Sequence, residues 1–206
     1  MVKSHDIKSE STESKILEAA KKTFILNGLE GTTMQQIANE AGINKSLLHY
    51  YYRSKEKLFE AVFSFAFQHF LPEIKEVLIA DMDLFKKIGT IVEKYMTMLI
   101  NNKFIPAFIL HEINRDPGRL YDLFIQSGLI PQIIIDEFES AMASGLIRRV
   151  DPRHLIINIL SLCVFPVAAR PLIQRVFFND HDKAYQQFLE ERKKVVTDFI
   201  IQSIKV

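Results

Sequence analysis

Residues 31–59 read GTTMQQIANEAGINKSLLHYYYRSKEKLF. Thr33 and Gln36 stand at the spacing of a capping box, in which the hydroxyl accepts from the amide of Gln36 while the glutamine side chain reaches back. The spacing predicts a short helix from Met34 that ends at Ala41-Gly42. Asn44 has the chemistry of a second N-cap and opens another short helix from Lys45 to about Tyr51. Ser54 caps a third, with Glu56 well placed in its first turn. Two short helices across a tight turn form the pattern of a helix-turn-helix, and the rest of the reading follows from it.

Ile37, Ala38, Ile43 and Leu48 are the residues that can close the angle between these helices, Ala38 by being small. That leaves Lys45, Ser46, Leu47, His49, Tyr50 and Tyr51 on the outer side or just beyond the helix end. A tyrosine-rich packing surface is the plain alternative, but the clustered cations favour a partner that takes both charges and hydroxyls. Double-stranded DNA is such a partner: Lys45 and Lys55 can neutralise phosphates, and tyrosine hydroxyls can donate to them. The free amides near Lys55, where the next helix begins, form a phosphate site of their own. Between Asn44 and Lys57 the charges are Lys45, Arg53, Lys55 and Lys57 against Glu56, a local balance of +3. The whole chain carries only +1, so any nucleic-acid footprint is a local patch.

Outward from the motif, apolar residues recur at helical spacing and no segment alternates with a period of two, so the fold class is all-α. Helices are expected at about 14–26, 34–41, 45–51, 55–79, 83–101, 104–114, 117–143, 152–169 and 181–204, with Asp116-Pro117, Gly145 and Asp151-Pro152 as boundaries. Pro72 should kink the fourth helix without necessarily ending it. Residues 1–13 read as a loose polar tail, 14–58 as the helix-turn-helix domain and 59–206 as a larger helical domain.

The 206 residues, 48% hydrophobic and 25% charged, can bury a core unaided. One cysteine, Cys163, makes no internal disulfide, which makes a reduced cytoplasm the default location. MVKSHDIKSESTES lacks the apolar stretch of a secretory signal. The run 155–169 is shorter than the roughly 20 residues of a membrane span and contains Asn158 and Pro166, so no membrane is expected. Six histidines without an HxxxH pair or a Cys/His cluster speak against zinc, and no cofactor is expected. Seven glycines form no phosphate-cradling loop and there is no nucleophile elbow, which speaks against an enzyme. An all-helical enzyme and an adaptor without DNA binding are the remaining alternatives.

The run TTMQQIANEAGINKSLLHYYYRSKEKLF resembles the amino-terminal signature of the tetracycline-repressor (TetR) family of bacterial regulators, over about Glu13 to Phe63. The resemblance implies a three-helix DNA-binding domain joined to a larger helical domain that dimerises and binds a small ligand. It also implies repression, with activation or dual regulation as the alternative. By position, Thr33, Tyr50 and Lys55 resemble the family's phosphate contacts, while Lys45, Ser46 and Leu47 fall where residues enter the major groove. His49 stands where a tyrosine is commoner, and Leu47 where a threonine or similar polar residue is. Tyr52 matches a packed aromatic and is assigned to the core. The residues expected at a palindromic operator are Thr33, Gln35, Asn44, Lys45, Ser46, Leu47, His49, Tyr50, Tyr51 and Lys55.

A small apolar or amphipathic ligand is expected among Phe67, Phe104, Phe108, His111, Arg115 and Phe124, because Phe, Met and Ile are dense between Phe63 and Met142. His111, Glu112, Asn114 and Arg115 are either a solvated face or the polar groups that orient it. Arg170 is either a partner for a helix C-terminus or an anion contact. Homodimerisation is expected through two apolar stripes, one containing Leu155, Ile159 and Cys163 and the other Phe188, Val195 and Phe199, packed with their copies as a four-helix bundle.

Overall fold

The computed structural model describes residues 3–206 except 116, 127, 129 and 130, and its side-chain description omits 3–11 and 107, 108, 111, 112, 115, 119, 120, 123 and 124. Among the described residues there are eleven α-helices, and extended pairing is confined to one isolated antiparallel bridge, Ile147 with Lys205. The chain divides into two compact units, Met1–Phe67 and Gln68–Val206.

The first unit holds α1 (Lys3–Asn27), α2 (Met34–Glu40), α3 (Lys45–Tyr51) and the start of α4 (Lys55–Ile79). Helix α1 reaches back through residues expected as a loose tail. Residues 3–13 contain neither Gly nor Pro, and extending an existing helix adds one hydrogen bond for each residue fixed, with no new nucleation. The first compact unit runs to Phe67, beyond the expected border at 58/59. Leu58, Phe59, Val62 and Phe63 are buried, and Phe59 meets Phe24 of α1 edge-on with centroids 4.7 Å apart, so the first turns of α4 belong to the small unit's core. The helix continues through Pro72.

The second unit comprises the remainder of α4, α5 (Leu84–Asn101), α6 (Ile105–Arg115), α7 (Pro117–Gln126), α8 (Pro131–Ala143), α9 (Pro152–Ala168), α10 (Arg170–Phe178) and α11 (Asp182–Ile204). Its centre is α5 packed on α9 and α11, with Val92, Met96 and Leu99 of α5, Cys163 of α9 and Leu189, Val196 and Ile200 of α11 buried. At Gly89 α5 and α11 run close together: a Cβ there would lie 3.4 Å from Thr197 Cγ2, in ordinary contact. Lys87 is buried as well, its Nζ donating to Leu78 O and Glu137 Oε1, each at 2.9 Å.

Two expected boundaries differ. Residues 117–143 form two helices, because Gly128 adopts φ +71° and Pro131 begins α8, while apolar periodicity runs straight through. Residues 170–178, outside the expected helices, form α10. Pro171 lies in its first turn, where a missing amide costs nothing. Pro166 sits inside α9, and two carbonyls there are met by α11: Leu162 O, which an amide at 166 would have bonded, accepts from Arg192 Nη2 at 2.9 Å, and Pro166 O accepts from the hydroxyl of buried Tyr185.

Candidate nucleic-acid interface

The helix-turn-helix is built by local bonds. Thr33 Oγ1 accepts from the amide of Gln36 at 3.3 Å, and Gln36 Oε1 accepts from the amide of Thr33 at 2.8 Å, which completes the capping box. At the other end of α2, Gly42 N donates to Asn39 O at 3.1 Å and Ile43 N to Ala38 O at 3.0 Å, the two bonds of a Schellman turn. That turn needs the left-handed backbone of Gly42, φ +66°. Asn44 Oδ1 then accepts from Leu47 N at 2.7 Å and starts α3. Ser54 Oγ accepts from Lys57 N at 3.2 Å and starts α4. In its first turn the Glu56 carboxyl is held below its ordinary range by its own backbone amide and by Ser54.

Ile37, Ala38 and Leu48 are fully buried and Ile43 is half-buried, so the inner faces of α2 and α3 meet as expected. The outer face then follows from the helical period. Lys45, Ser46, His49 and Tyr50 are exposed, Tyr50 by 81%, while Leu47, Tyr51 and Lys55 are half-buried. Tyr50 and Tyr51 pack edge to face at 5.6 Å, which orders both rings beside the α3 terminus. Among the described residues no ion pair engages Lys45, Arg53 or Lys55, whereas Lys57 pairs with Glu60 at 3.1 Å. Thr33, Gln35 and Asn44 are exposed, but their side chains are used locally: Thr33 and Asn44 as caps, and Gln35 donating to Asn39 Oδ1 at 2.9 Å. Tyr52 departs from a simple core assignment. It is half-buried, and its hydroxyl donates to Glu13 Oε1 at 2.8 Å, tying the end of α3 to α1, a long-range pair that helical spacing does not reveal. Burial and that carboxylate push the Tyr52 phenol well above its usual range.

In the second unit, Phe104 is buried in the turn between α5 and α6, and Phe67 at the end of the first unit is buried too. The side chains of Phe108, His111, Arg115 and Phe124 lie outside the described residues. Asn102, missed by the sequence reading, is buried beside Phe104. Its Nδ2 donates to Met98 O at 2.8 Å, and among the described residues its Oδ1 has no hydrogen-bond partner. Arg170 is neither a C-terminal partner for α9 nor free for an anion. It opens α10, donates through Nε to Gln174 at 2.9 Å and through Nη2 to Asp182, and lies 5.7 Å over the Tyr185 ring.

The two apolar stripes need a correction. Leu155 and Cys163 are buried in the protomer's own core, because α9 packs on α5 and α11, and a side chain used there cannot reach a second subunit. Ile159 is half-buried, as is Phe188, which packs against Phe178 and Tyr185. Val195 and Phe199 are open, and α9 contributes Ile157, Leu160 and Phe165 as its open large apolar residues. Helix α9 is apolar all round, so periodicity alone could not choose its face.

The family model described as "Bacterial regulatory proteins, tetR family" matches residues 16–62, and "Tetracyclin repressor-like, C-terminal domain" matches 131–200. The chain is 29% identical over 201 residues to the HTH-type transcriptional regulator RutR of Escherichia coli (strain K12), covering 85% of this chain and 87% of that protein. It is 22% identical over 157 residues to IcaR of Staphylococcus epidermidis, named as the biofilm operon icaADBC HTH-type negative transcriptional regulator, covering 71% and 73%. In fold it is similar to the transcriptional regulator FadR of Bacillus subtilis, whose crystal structure holds stearoyl-CoA, with TM-score 0.67, 16% identity and coverage of 91% and 97%.

Proposed function

Since the chain belongs to the TetR family of bacterial transcriptional regulators and is itself a DNA-binding regulator, we propose that it is a homodimeric repressor released from a palindromic operator by a small ligand. The observation that carries the DNA reading is the α3 face: Lys45, Ser46, His49 and Tyr50 exposed above a floor of buried Ile37, Ala38 and Leu48. Lys45, Ser46, Leu47 and His49 enter the major groove, where Leu47 offers an apolar contact to a thymine methyl. Tyr50, Tyr51 and Lys55, with the amino end of α4, hold phosphates on either side. Thr33, Gln35 and Asn44 line the same edge, and their side-chain donors, the Thr33 hydroxyl and the amide N–H groups of Gln35 and Asn44, reach the DNA phosphates.

Repression is supported by the negative regulator among the relatives. The ligand is small and apolar or amphipathic: Phe104 and Ile105 are buried where α5 turns into α6, and Asn102 Oδ1, without a hydrogen-bond partner among the described residues, is the kind of group that orients a ligand donor. Phe108, His111, Arg115 and Phe124 are further candidates on the strength of the sequence pattern alone. The protein works in the cytoplasm, where its operator lies, and among the described residues no single helix is long and apolar enough to cross a membrane. The dimer forms through the open face of α9 and α11, with Ile157, Leu160 and Phe165 replacing the expected Leu155 and Cys163 beside Val195 and Phe199.

The test is fluorescence-anisotropy binding to DNA from upstream of the chain's own gene. Lys45→Ala, Tyr50→Ala and Lys55→Ala each weaken binding without unfolding the protein. Each lysine change lowers the salt slope by about one unit, the share of a single neutralised phosphate. Unchanged affinity in all three variants overturns the interface.

A further inference from the structure

Helix α10 buries none of its residues, Arg170–Phe178, within the protomer. It nevertheless presents Leu172, Val176 and Phe177 to solvent at 64%, 59% and 73% exposure. A helix of nine residues is marginal in water by itself and draws its stability from packing an apolar face. Here Ile173 and Phe178 are half-buried, and the rest of the apolar residues point outward.

The chain holds the helix firmly all the same. Arg170 is tied to Gln174 and Asp182 across the start of α10, and the Tyr185 hydroxyl takes the Pro166 carbonyl at the corner before it. At the far end Asn179 and Asp180 both adopt positive φ, 48° and 61°, a conformation that side-chain-bearing residues enter at a cost. Gln174 bridges that bend, its carbonyl accepting from Asp180 N at 3.2 Å and its Nε2 donating to Asp180 O at 3.3 Å. Polar contacts, strained backbone and Phe178 packed on Tyr185 and Phe188 thus fix the position of a helix whose Leu172, Val176 and Phe177 stay open in the protomer.

We infer that α10 is a second arm of the homodimer interface, with Leu172, Val176 and Phe177 covered by a second copy of the chain. The inference rests on the dimer reading above and extends it to a helix outside the two stripes. Continuity supports a second copy as the occupant, since α10 packs directly on α9 and α11, whose own open residues make the proposed dimer face. Area supports it too. At roughly 200 Å² for a fully exposed large apolar residue, the five open residues of α9 and α11 leave on the order of 600 Å² per subunit, and α10 adds about 400 Å². Together the two apolar areas reach on the order of 1,000 Å² per subunit, above the about 800 Å² of total surface that each partner of a standard stable interface buries. They also exceed the roughly 300–600 Å² typical of the largest apolar patch on a monomer. In a two-fold dimer each residue acts twice.

The test is sedimentation equilibrium on the full chain, comparing wild type with V176S/F177S and with F165R/F199R. The α10 changes leave the protomer core untouched, so circular dichroism stays as in wild type while the dimer Kd rises by at least about 100-fold. In wild type, hydrogen exchange at residues 170–178 quickens on dilution into monomer. A V176S/F177S Kd within threefold of a dimeric wild type, or exchange at 170–178 that ignores dilution, overturns the α10 arm. If F165R/F199R dissociates in that same experiment, the α9–α11 dimer survives without it. A wild type that is monomeric at micromolar concentration overturns both readings. Binding of α10 to phosphatidylglycerol vesicles with an unchanged dimer Kd assigns the face to lipid and also overturns the inference.

Discussion

Replacing Lys87 by Met tests the only ammonium that the described core buries. Its side chain is 8% exposed and gives two bonds of 2.9 Å, one to Glu137 of α8 and one to Leu78 O in the last turn of α4, where carbonyls have no intrahelical donor. Methionine keeps the aliphatic stem, so little apolar burial changes. What disappears is the ion pair and the cap on Leu78. Breaking a fully buried pair costs about 3–5 kcal/mol, but the Glu137 side chain is 30% exposed and water can reach it, while Met no longer carries the desolvation cost of an ammonium. The expected destabilisation is therefore about 2–3 kcal/mol, or roughly 5–10 °C in Tm for a chain of this size. Glu137→Gln keeps an acceptor for Lys87 and costs less, about 1 kcal/mol. Urea unfolding followed by circular dichroism, at one fixed protein concentration, measures both. Lys87→Met as stable as wild type, or Glu137→Gln costing more than Lys87→Met, refutes the reasoning.

Burial pushes the Cys163 thiol up to about 12, so at pH 8 a thiol reagent leaves it unmodified in the native protein and labels it only after unfolding; labelling at the rate of the unfolded chain contradicts its place in the core. Asp151 caps α9 and bonds Arg153, whose side chain and amide draw the carboxyl from 3.8 down to about 2. Because the folded value is depressed, the stabilisation is complete above about pH 4 and is lost as pH falls towards 2. Asp151→Asn keeps a capping oxygen but not the charge, so its Tm approaches that of wild type over this window; a Tm gap that does not change with pH denies the carboxylate that role.

The helix-turn-helix could be read from the chain almost residue by residue because its determinants are local. The Thr33–Gln36 box, the Gly42 turn and the Asn44 cap each act within a few residues, and the inner and outer faces of α2 and α3 then follow from the helical period. The exposed α3 face was legible for the same reason. Elsewhere the period was ambiguous. It ran through Gly128 and Pro131 as though 117–143 were one helix, and on the apolar-all-round α9 it could not say which side faces inward. Only the tertiary structure decided that Leu155 and Cys163 belong to the protomer's core, since that depends on α5 and α11 arriving from distant parts of the sequence. The same holds for Tyr52 meeting Glu13, for Lys87 reaching Leu78 and Glu137, and for Arg170 and Tyr185 fixing α10. Short-range hydrogen bonds are written in adjacent residues, whereas the choice of a buried face and the pairing of a buried charge depend on whatever the fold brings alongside.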